Sequence, residues 1–363
     1  MSRWQTALCN APMVLRGVYE YNVASRFRPL APREWLFPVT YRCNARCRMC
    51  NIWQSDAGHE LSVSDWRTVL KDPLFKTIQA VNLTGGEPTL RQDLPELTEV
   101  LIERLPALQR LTVTTNALQP ERVAAQGESL LKLCQPRGIR LFVGVSLDGI
   151  GSMHDEMRNI PGAFERVQAS LARLRPLAAR GLRTGLNCTL TRHNAHQAES
   201  IRQWAADQGL PVNFIVASFS SSYYGNLDSE EDLSLDAGQR EQIAEFLSGL
   251  ASKAPIGELA AYFYADAARM LRCGTTRQTP CIFQKDAFLL DARGDLQYCM
   301  YSRVLGNVQQ QSASELYFAA PNLEHRRDVV AHHCANCTIT CFLELALAKD
   351  AFHYARFLLR RRP

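Results

Sequence analysis

The chain has 363 residues, of which 46% are hydrophobic and 21% are charged. This composition is typical of a folded protein and excludes a disordered or low-complexity chain. The net charge of +5 is small for this length, so it gives no indication of nucleic-acid binding. The length suits one α/β barrel of roughly 200 to 250 residues with a small added module.

The beginning of the chain has no recognisable targeting signal. Asn10 and Pro12 interrupt the apolar run near the start, and no run of 18 apolar residues follows. These features predict a cytoplasmic protein, with residues 1–33 as a short N-terminal extension. In that compartment, twelve cysteines indicate metal binding or thiol chemistry rather than disulfides.

Short apolar, β-rich segments then alternate with helical patterns over residues 34–235. The predicted strands are 34–41, 77–84, 110–115, 139–147, 182–190 and 212–217. The clearest helical segments between them are 94–104, 163–179 and 194–208. Their apolar residues recur three and four positions apart, as in helices that cover a parallel sheet. Six β/α units predict an α/β fold, a partial (β/α)6 barrel of the TIM type.

The pattern changes after the barrel. Two helical segments form a predicted connection over residues 236–280. Two short strands, 287–291 and 296–299, flank the turn-like sequence Ala292-Arg293-Gly294 and predict a β-hairpin. With the helix that follows, residues 281–341 are predicted to form a small second module, and residues 342–363 a C-terminal amphipathic helix.

The last residues are rich in arginine, since Arg360, Arg361 and Arg362 follow an apolar run. One interpretation is a solvated helix end. The other is contact with an anionic membrane surface or an acidic partner.

Cys43, Cys47 and Cys50 form the pattern C-x3-C-x2-C directly after the first predicted strand. Three thiolates can hold a cube-shaped iron–sulfur cluster and leave one iron open, and an open iron can chelate an amine and a carboxylate. Zinc is the alternative, but it requires a fourth ligand, and His59 does not stand at a zinc-ribbon spacing. The pattern therefore favours an iron–sulfur cluster.

The second predicted strand ends in Thr84-Gly85-Gly86-Glu87-Pro88. Two glycines allow a ligand to approach the backbone, and a carboxylate at the C-terminal end of a barrel strand is well placed to bind an ammonium group. Alone, this segment can be an ordinary turn. One β/α unit after C-x3-C-x2-C, it is much more specific.

Together these motifs resemble the radical S-adenosylmethionine (SAM) superfamily over roughly residues 34–217. The resemblance implies that Cys43, Cys47 and Cys50 hold a [4Fe–4S] cluster. It also implies that Gly85, Gly86 and Glu87 bind the methionine end of SAM, with Glu87 on the amino group. The further SAM contacts that it implies are Met49, Asn116, Ser146, Asp148, Arg158 and Asn187.

Three of these assignments need comment. Ser146 and Asp148 resemble the ribose-binding strand end, and strand alternation puts them on one face. Turn capping and salt bridging are the alternatives for Asn116 and Arg158. Met49 stands where the family commonly has an aromatic residue against adenine, and its thioether can also pack on a ring.

A second cysteine group consists of Cys281, Cys299, Cys334 and Cys337. It resembles the twitch domain, the shortened relative of the SPASM domain, in which a hairpin pair and a later C-x2-C hold an auxiliary [4Fe–4S] cluster. Cys341 is an alternative fourth ligand. The implied cofactors are two [4Fe–4S] clusters and SAM, and the implied electron donor is reduced flavodoxin or ferredoxin.

The resemblance implies reductive cleavage of SAM to a 5′-deoxyadenosyl radical that removes hydrogen from a C–H bond. We expect a small-molecule or carrier-linked substrate, because 33 residues before the first strand are too few for a leader-binding domain. Dehydrogenation and epimerisation are both open, and Cys273 and Cys341 are candidate hydrogen donors for the latter. The alternatives are a peptide-modifying (RiPP) maturase and a non-catalytic iron–sulfur or SAM-binding scaffold.

Overall fold

The computed structural model describes residues 18–56, 58–254, 259–339 and 355–357. Six strands of the described chain form the barrel sheet in the order β6-β5-β4-β3-β2-β1, each parallel to its neighbour. They are β1 (Glu34–Thr40), β2 (Ala80–Gly85), β3 (Arg110–Thr115), β4 (Arg140–Ser146), β5 (Arg183–Leu190) and β6 (Val212–Val216). The predicted partial (β/α)6 barrel is confirmed.

Helices connect the strands, and most of them cover the outer face of this sheet. They are α1 (Val63–Val69), α2 (Leu94–Arg104), α3 (Pro120–Cys134), α4 (Ser152–Arg158), α5 (Ala163–Leu174), α6 (Ala198–Asp207), α7 (Glu230–Leu233), α8 (Ala237–Lys253) and α9 (Leu259–Cys273). Local sequence explains several of their ends. Capping boxes begin α1 at Ser62 and α8 at Asp236. No helix in the described ranges is long and apolar enough to cross a membrane.

The barrel strands separate an apolar outer layer from a polar interior. Along β3, Leu111 and Val113 belong to the hydrophobic core, whereas Thr112 and Thr114 line the interior cavity. The alternation follows from the period of two in a strand. At one edge, Trp35 and Phe37 of β1 pack with Trp66 of α1, at ring centroid distances of 5.6 and 4.6 Å from Trp66.

The predicted hairpin is present, as β7 (Ala287–Leu290) and β8 (Asp295–Gln297). It extends the barrel sheet, because β7 pairs in parallel with β1 in the register Glu34↔Ala287. A two-residue strand, β9 (Gly306–Asn307), and two helices, α10 (Ala313–Phe318) and α11 (Ala320–His332), follow. The module boundary at residue 281 stays a prediction. The C-terminal helix over 342–363 and the arginines at its end lie outside the described residues, except 355–357, which are helical.

Candidate active site at the C-terminal ends of the strands

A cavity of about 340 Å³ lies at the C-terminal ends of the barrel strands. The structure brings most of the sequence-predicted site residues to its wall, namely Cys43, Cys47, Met49, Cys50, Gly85, Gly86, Asn116, Ser146, Arg158 and Asn187. Glu87 and Asp148 are buried behind the wall and do not line it.

The cysteine loop is seated on the end of α4. The backbone amides of Arg46 and Arg48 donate to the carbonyls of Arg158 and Met157, at 3.3 and 3.0 Å. The Arg158 guanidinium donates to the sulfur of Cys47 at 3.4 Å. Backbone and side chain of α4 therefore hold the loop together.

The three thiols suit a cationic group. Burial, with repulsion from Cys47, raises the pKa of Cys43 to about 11 and that of Cys50 to about 12. A bound metal centre supplies the positive charge that deprotonates such thiols. In the described part of the chain, no three His, Cys, Asp or Glu side chains lie close enough together to hold a single metal ion. A four-iron cluster occupies a gap between its ligands, so it fits thiols that share a cavity wall.

The glycines of the second strand end have a structural reason that the sequence did not reveal. A Cβ on Gly85, whose φ is +121°, would lie 2.3 Å from the carbonyl oxygen of Thr40. A Cβ on Gly86 would lie 2.2 Å from that of Arg42. Close approach of the cysteine loop to β2, as well as of any ligand, requires glycine at both positions.

Glu87 joins the ends of β2 and β3. Its Oε1 accepts from the amide and hydroxyl of Thr89, at 3.1 and 2.6 Å, and from the Thr115 hydroxyl at 2.7 Å. Its Oε2 accepts from the backbone amide of Asn116 at 2.7 Å. Burial raises the pKa of Glu87. Its role on the SAM amino group stays a prediction.

Asn116 links this network to the cysteine loop. Its side-chain amide donates to Oδ1 of Asn44 at 2.8 Å. The next residue, Ala117, has a φ of +56°, a conformation that costs energy for a residue with a side chain. The side-chain oxygen of Asn116 accepts from the Leu118 amide at 3.1 Å, so Asn116 caps this turn and also lines the cavity.

Arg158 and Asp148 form a buried ion pair of 2.5 Å. The other oxygen of Asp148 accepts from the Thr189 amide at 2.8 Å. The adjacent His154 accepts from the Asp148 amide at 3.1 Å, and burial, with the charge of Arg158, lowers the pKa of His154 to about 3. Arg158 therefore forms a salt bridge in addition to lining the cavity. Asp148 does not line the cavity, but its ion pair fixes the orientation of the Arg158 guanidinium.

Ser146 and Asn187 lie opposite each other on β4 and β5. Gly144 makes room for Asn187, because a Cβ there would lie 2.6 Å from the side-chain nitrogen of Asn187. The residue after Asn187, Cys188, packs in the hydrophobic core on the other side of the sheet.

Sequence reasoning missed the aromatic part of the cavity wall. Its members are Trp53, Phe142, Tyr223 and Tyr224. The two tyrosines lie in the loop that follows β6. Its Asn226 donates to the carbonyl of Met49 at 2.9 Å, and its Ser222 to that of Met300 at 2.6 Å. The loop therefore connects the cysteine loop to the C-terminal module, and nothing in its composition signals that contact.

The second cysteine group also converges. Cys281, Cys299, Cys334 and Cys337 line one narrow cavity. Burial raises the pKa of Cys299 to about 12 and that of Cys337 to about 11. Met300 and Ile339 line both this cavity and the barrel cavity, so the two cysteine sites are neighbours.

Of the two candidate hydrogen donors, Cys273 belongs to the described residues. Cys273, at the end of α9, is exposed and lines neither cavity. Cys341 lies outside the described residues.

Comparison with known proteins agrees with this geometry. Residues 37–205 match the Radical SAM superfamily. The pre-heme d1 synthase of Dinoroseobacter shibae is 31% identical over 205 residues, which are 54% of this chain and 46% of that protein. The PqqA peptide cyclase of Xanthomonas campestris is 28% identical over 197 residues, which are 53% and 48% of the two chains. The chain spans about half the length of the curated relatives it matches.

Among solved structures, Streptococcus suis SuiB bound to S-adenosylmethionine superimposes with a TM-score of 0.58 at 14% identity. The superposition covers 89% of this chain and 73% of SuiB. At that identity the likeness shows the fold. Because the matched segment contains C-x3-C-x2-C, the Gly-Gly-Glu turn and the strand ends around one cavity, residues 37–205 of the chain belong to the radical SAM superfamily.

Proposed function

We propose that the protein is an enzyme that reductively cleaves SAM and removes a hydrogen atom from a C–H bond of a second substrate. One observation carries the proposal: Cys43, Cys47 and Cys50 line the same cavity as most of the residues that were predicted to bind SAM. A [4Fe–4S] cluster on these cysteines supplies the electron and the open iron for SAM.

The protein's own groups then orient SAM and keep water away. Ser146 and Asn187 offer hydrogen bonds to the ribose, and Met49 offers a thioether surface to the adenine. Gly85 and Gly86 leave room for the methionine end, and Glu87 takes its amino group. The barrel walls enclose the reacting atoms and prevent side reactions.

We assign a second [4Fe–4S] cluster to Cys281, Cys299, Cys334 and Cys337. The shared wall of Met300 and Ile339 supports this assignment, because it brings the second site next to the substrate cavity. Such an arrangement favours an oxidation, a dehydrogenation, over an epimerisation. The exposed position of Cys273 gives an epimerase no donor at that residue.

The lining of the cavity favours a neutral, polar substrate that is small or carrier-linked. Among the described lining residues, Arg158 is the single Lys, Arg, Asp or Glu, and it is paired with Asp148. The remaining polar groups are amides and hydroxyls. A phosphate or a polycarboxylate would lack cationic partners here.

The electron donor is proposed to be a reduced flavodoxin or ferredoxin. Arg42, Arg46 and Arg48 are exposed on the outer side of the cysteine loop, whereas Cys47 between them is buried. A basic surface at this point attracts an acidic electron carrier.

A second candidate is the modification of a ribosomal peptide. The likeness to PqqA peptide cyclase favours it. The neutral amides and hydroxyls of the cavity also suit a peptide backbone.

Iron content and SAM cleavage test the proposal. Anaerobic reconstitution should give about eight irons per chain, and Cys43→Ala/Cys47→Ala/Cys50→Ala about four. With dithionite, the wild type should release 5′-deoxyadenosine and the triple variant none. The exposed Cys273→Ser is the matched control, and it should behave as wild type.

The second site is tested separately. Cys281→Ala/Cys299→Ala should still release 5′-deoxyadenosine but form little or no product, once circular dichroism shows the barrel folded. A triple variant that kept all its iron would contradict the first assignment. A wild type that binds SAM without cleaving it would favour the non-catalytic scaffold.

A further inference from the structure

The second cysteine site contains a buried arginine with neutral partners. Arg326 of α11 lines the cavity of the four cysteines and is 6% exposed. Its guanidinium donates to the carbonyls of Phe283 and Ala287, and to the Tyr317 hydroxyl at 3.0 Å. It also lies over the Tyr298 ring, 4.6 Å from the centroid. Neutral partners solvate the guanidinium but leave its charge in place.

A second guanidinium connects the two cysteine pairs. Arg277 donates to the carbonyls of Cys337 at 3.2 Å, Ile339 at 2.9 Å and Pro280 at 3.2 Å. Pro280 directly precedes Cys281. The carboxylate of Asp266 acts electrostatically on Arg277. Arg277 thus adds a positive charge between the backbone segments of the first and last cysteines.

Two buried carboxylates, Asp266 and Asp286, lie near these arginines. Asp266 bonds to Arg269 and to the amides of Gln278 and Thr279. The buried Asp286 acts electrostatically on Tyr317. In the described structure, Arg277 and Arg326 donate to backbone carbonyls and hydroxyls and to neither of these carboxylates.

The first cysteine site has a different charge balance. There the guanidinium of Arg158, which donates to Cys47, is paired with the Asp148 carboxylate at 2.5 Å. The pair as a whole is neutral. The buried Glu87, bonded to Asn116 on the cavity wall, adds a further acidic group.

We infer that Arg277 and Arg326 hold the second cluster at a higher reduction potential than the cluster on Cys43, Cys47 and Cys50. Reduction adds one negative charge to a cluster, and the nearby guanidinium groups, which donate to carbonyl and hydroxyl oxygens and to no carboxylate in the described structure, stabilise that charge. The inference rests on the proposed function, which assigns a cluster to each site. It makes the second site the electron acceptor of the two.

The test measures potentials, which a purely structural role would not shift in this direction. The full chain carrying Cys43→Ala/Cys47→Ala/Cys50→Ala isolates the second cluster, and Cys281→Ala/Cys299→Ala isolates the first. Redox titration followed by electron paramagnetic resonance should give the higher midpoint for the second. Adding Arg326→Met to the triple variant should lower its midpoint by at least 59 mV, a tenfold change for a one-electron couple.

Two further variants separate the effect of the Arg326 charge on the midpoint potential from the effect of its shape. Arg326→Lys keeps the charge and should restore most of the potential. Arg293→Met, which removes a cation of the same module that is paired with Asp291, should leave it unchanged. If Arg326→Met loses its iron, Arg277→Met decides by the same measurement.

The outcomes are distinguishable from a failure of the proposed function. If the Cys43/Cys47/Cys50 triple variant binds no iron at all, the assignment of a second cluster in the proposed function is wrong. If it binds four irons and the arginine variants leave its midpoint unchanged, or if the first cluster has the higher potential, the inference is overturned.

Discussion

Glu87→Gln separates two roles of the most heavily hydrogen-bonded carboxylate near the cavity. In the structure, Oε1 of Glu87 accepts three hydrogen bonds and Oε2 accepts one, from the Asn116 amide at 2.7 Å. A glutamine is the same size. Its amide oxygen can keep the three bonds from Thr89 and Thr115, but its NH2 group then faces the N–H of Asn116.

The magnitudes follow from those contacts. One hydrogen bond to a charged group is lost and a buried N–H is left without an acceptor, so the free energy of unfolding should fall by about 1.5 to 3 kcal/mol. If Glu87 also holds the SAM ammonium, loss of its charge costs SAM binding about 2 to 5 kcal/mol, or roughly 30-fold or more in affinity.

Two assays read the two effects independently. Urea unfolding of the apo-protein gives the change in stability, and equilibrium dialysis of SAM against reconstituted protein gives the affinity. Thr89→Val is the matched control, since it removes one hydroxyl donor to Glu87 but keeps the carboxylate, and Thr89 does not line the cavity. It should lower stability by about 1 kcal/mol and leave SAM affinity near wild type.

Unchanged stability in Glu87→Gln would refute the account of Glu87 as the connection between β2 and β3. Unchanged SAM affinity would instead show that the carboxylate does not bind the amino group and that its role is structural.

Two other predictions follow from single contacts. Gly144→Ala would place a Cβ 2.6 Å from the Asn187 side chain, so the SAM affinity measured by dialysis should fall. The control Gly249→Ala, which has open space around the new Cβ, should leave the SAM affinity unchanged. Equal SAM affinities of the two variants would exclude Asn187 as a SAM contact. His154 has a folded-state pKa of about 3 against 6.5 in the unfolded chain, so the unfolded state binds more protons between these values and stability falls as the pH drops below about 6.5. Urea unfolding of the apo-protein should show a loss of about 2 kcal/mol from His154 between pH 6.5 and 5, and a His154→Asn variant that kept the whole pH dependence would contradict this.

Local patterns predicted the parts of the fold that depend on local sequence. The helix 94–104 and the strand 110–115 have the predicted bounds in the structure, because their apolar periods are uninterrupted and each buries one face. The three cysteines of the first motif were predicted together because a loop of eight residues brings them together. The hairpin was predicted from its turn, but its pairing with β1 was not. That pairing joins residues about 250 positions apart, and no local pattern encodes it.

Charged groups show most clearly why the rest of the site was beyond the sequence. Asp148 was assigned to the ribose by the family resemblance, and strand alternation predicts the face on which it lies but not its partner. Its partner, Arg158, comes from the helix after the strand, and the pair closes only because α4 turns back onto the cysteine loop. Arg277 and Arg326 belong to no motif. Whether an arginine carries a net charge into a buried site depends on its burial and on the absence of a carboxylate partner, and both are set by tertiary contacts. The local spacing of the cysteines therefore predicts the metal ligands of each site. The charged groups that surround those ligands come from distant segments of the chain and depend on tertiary contacts.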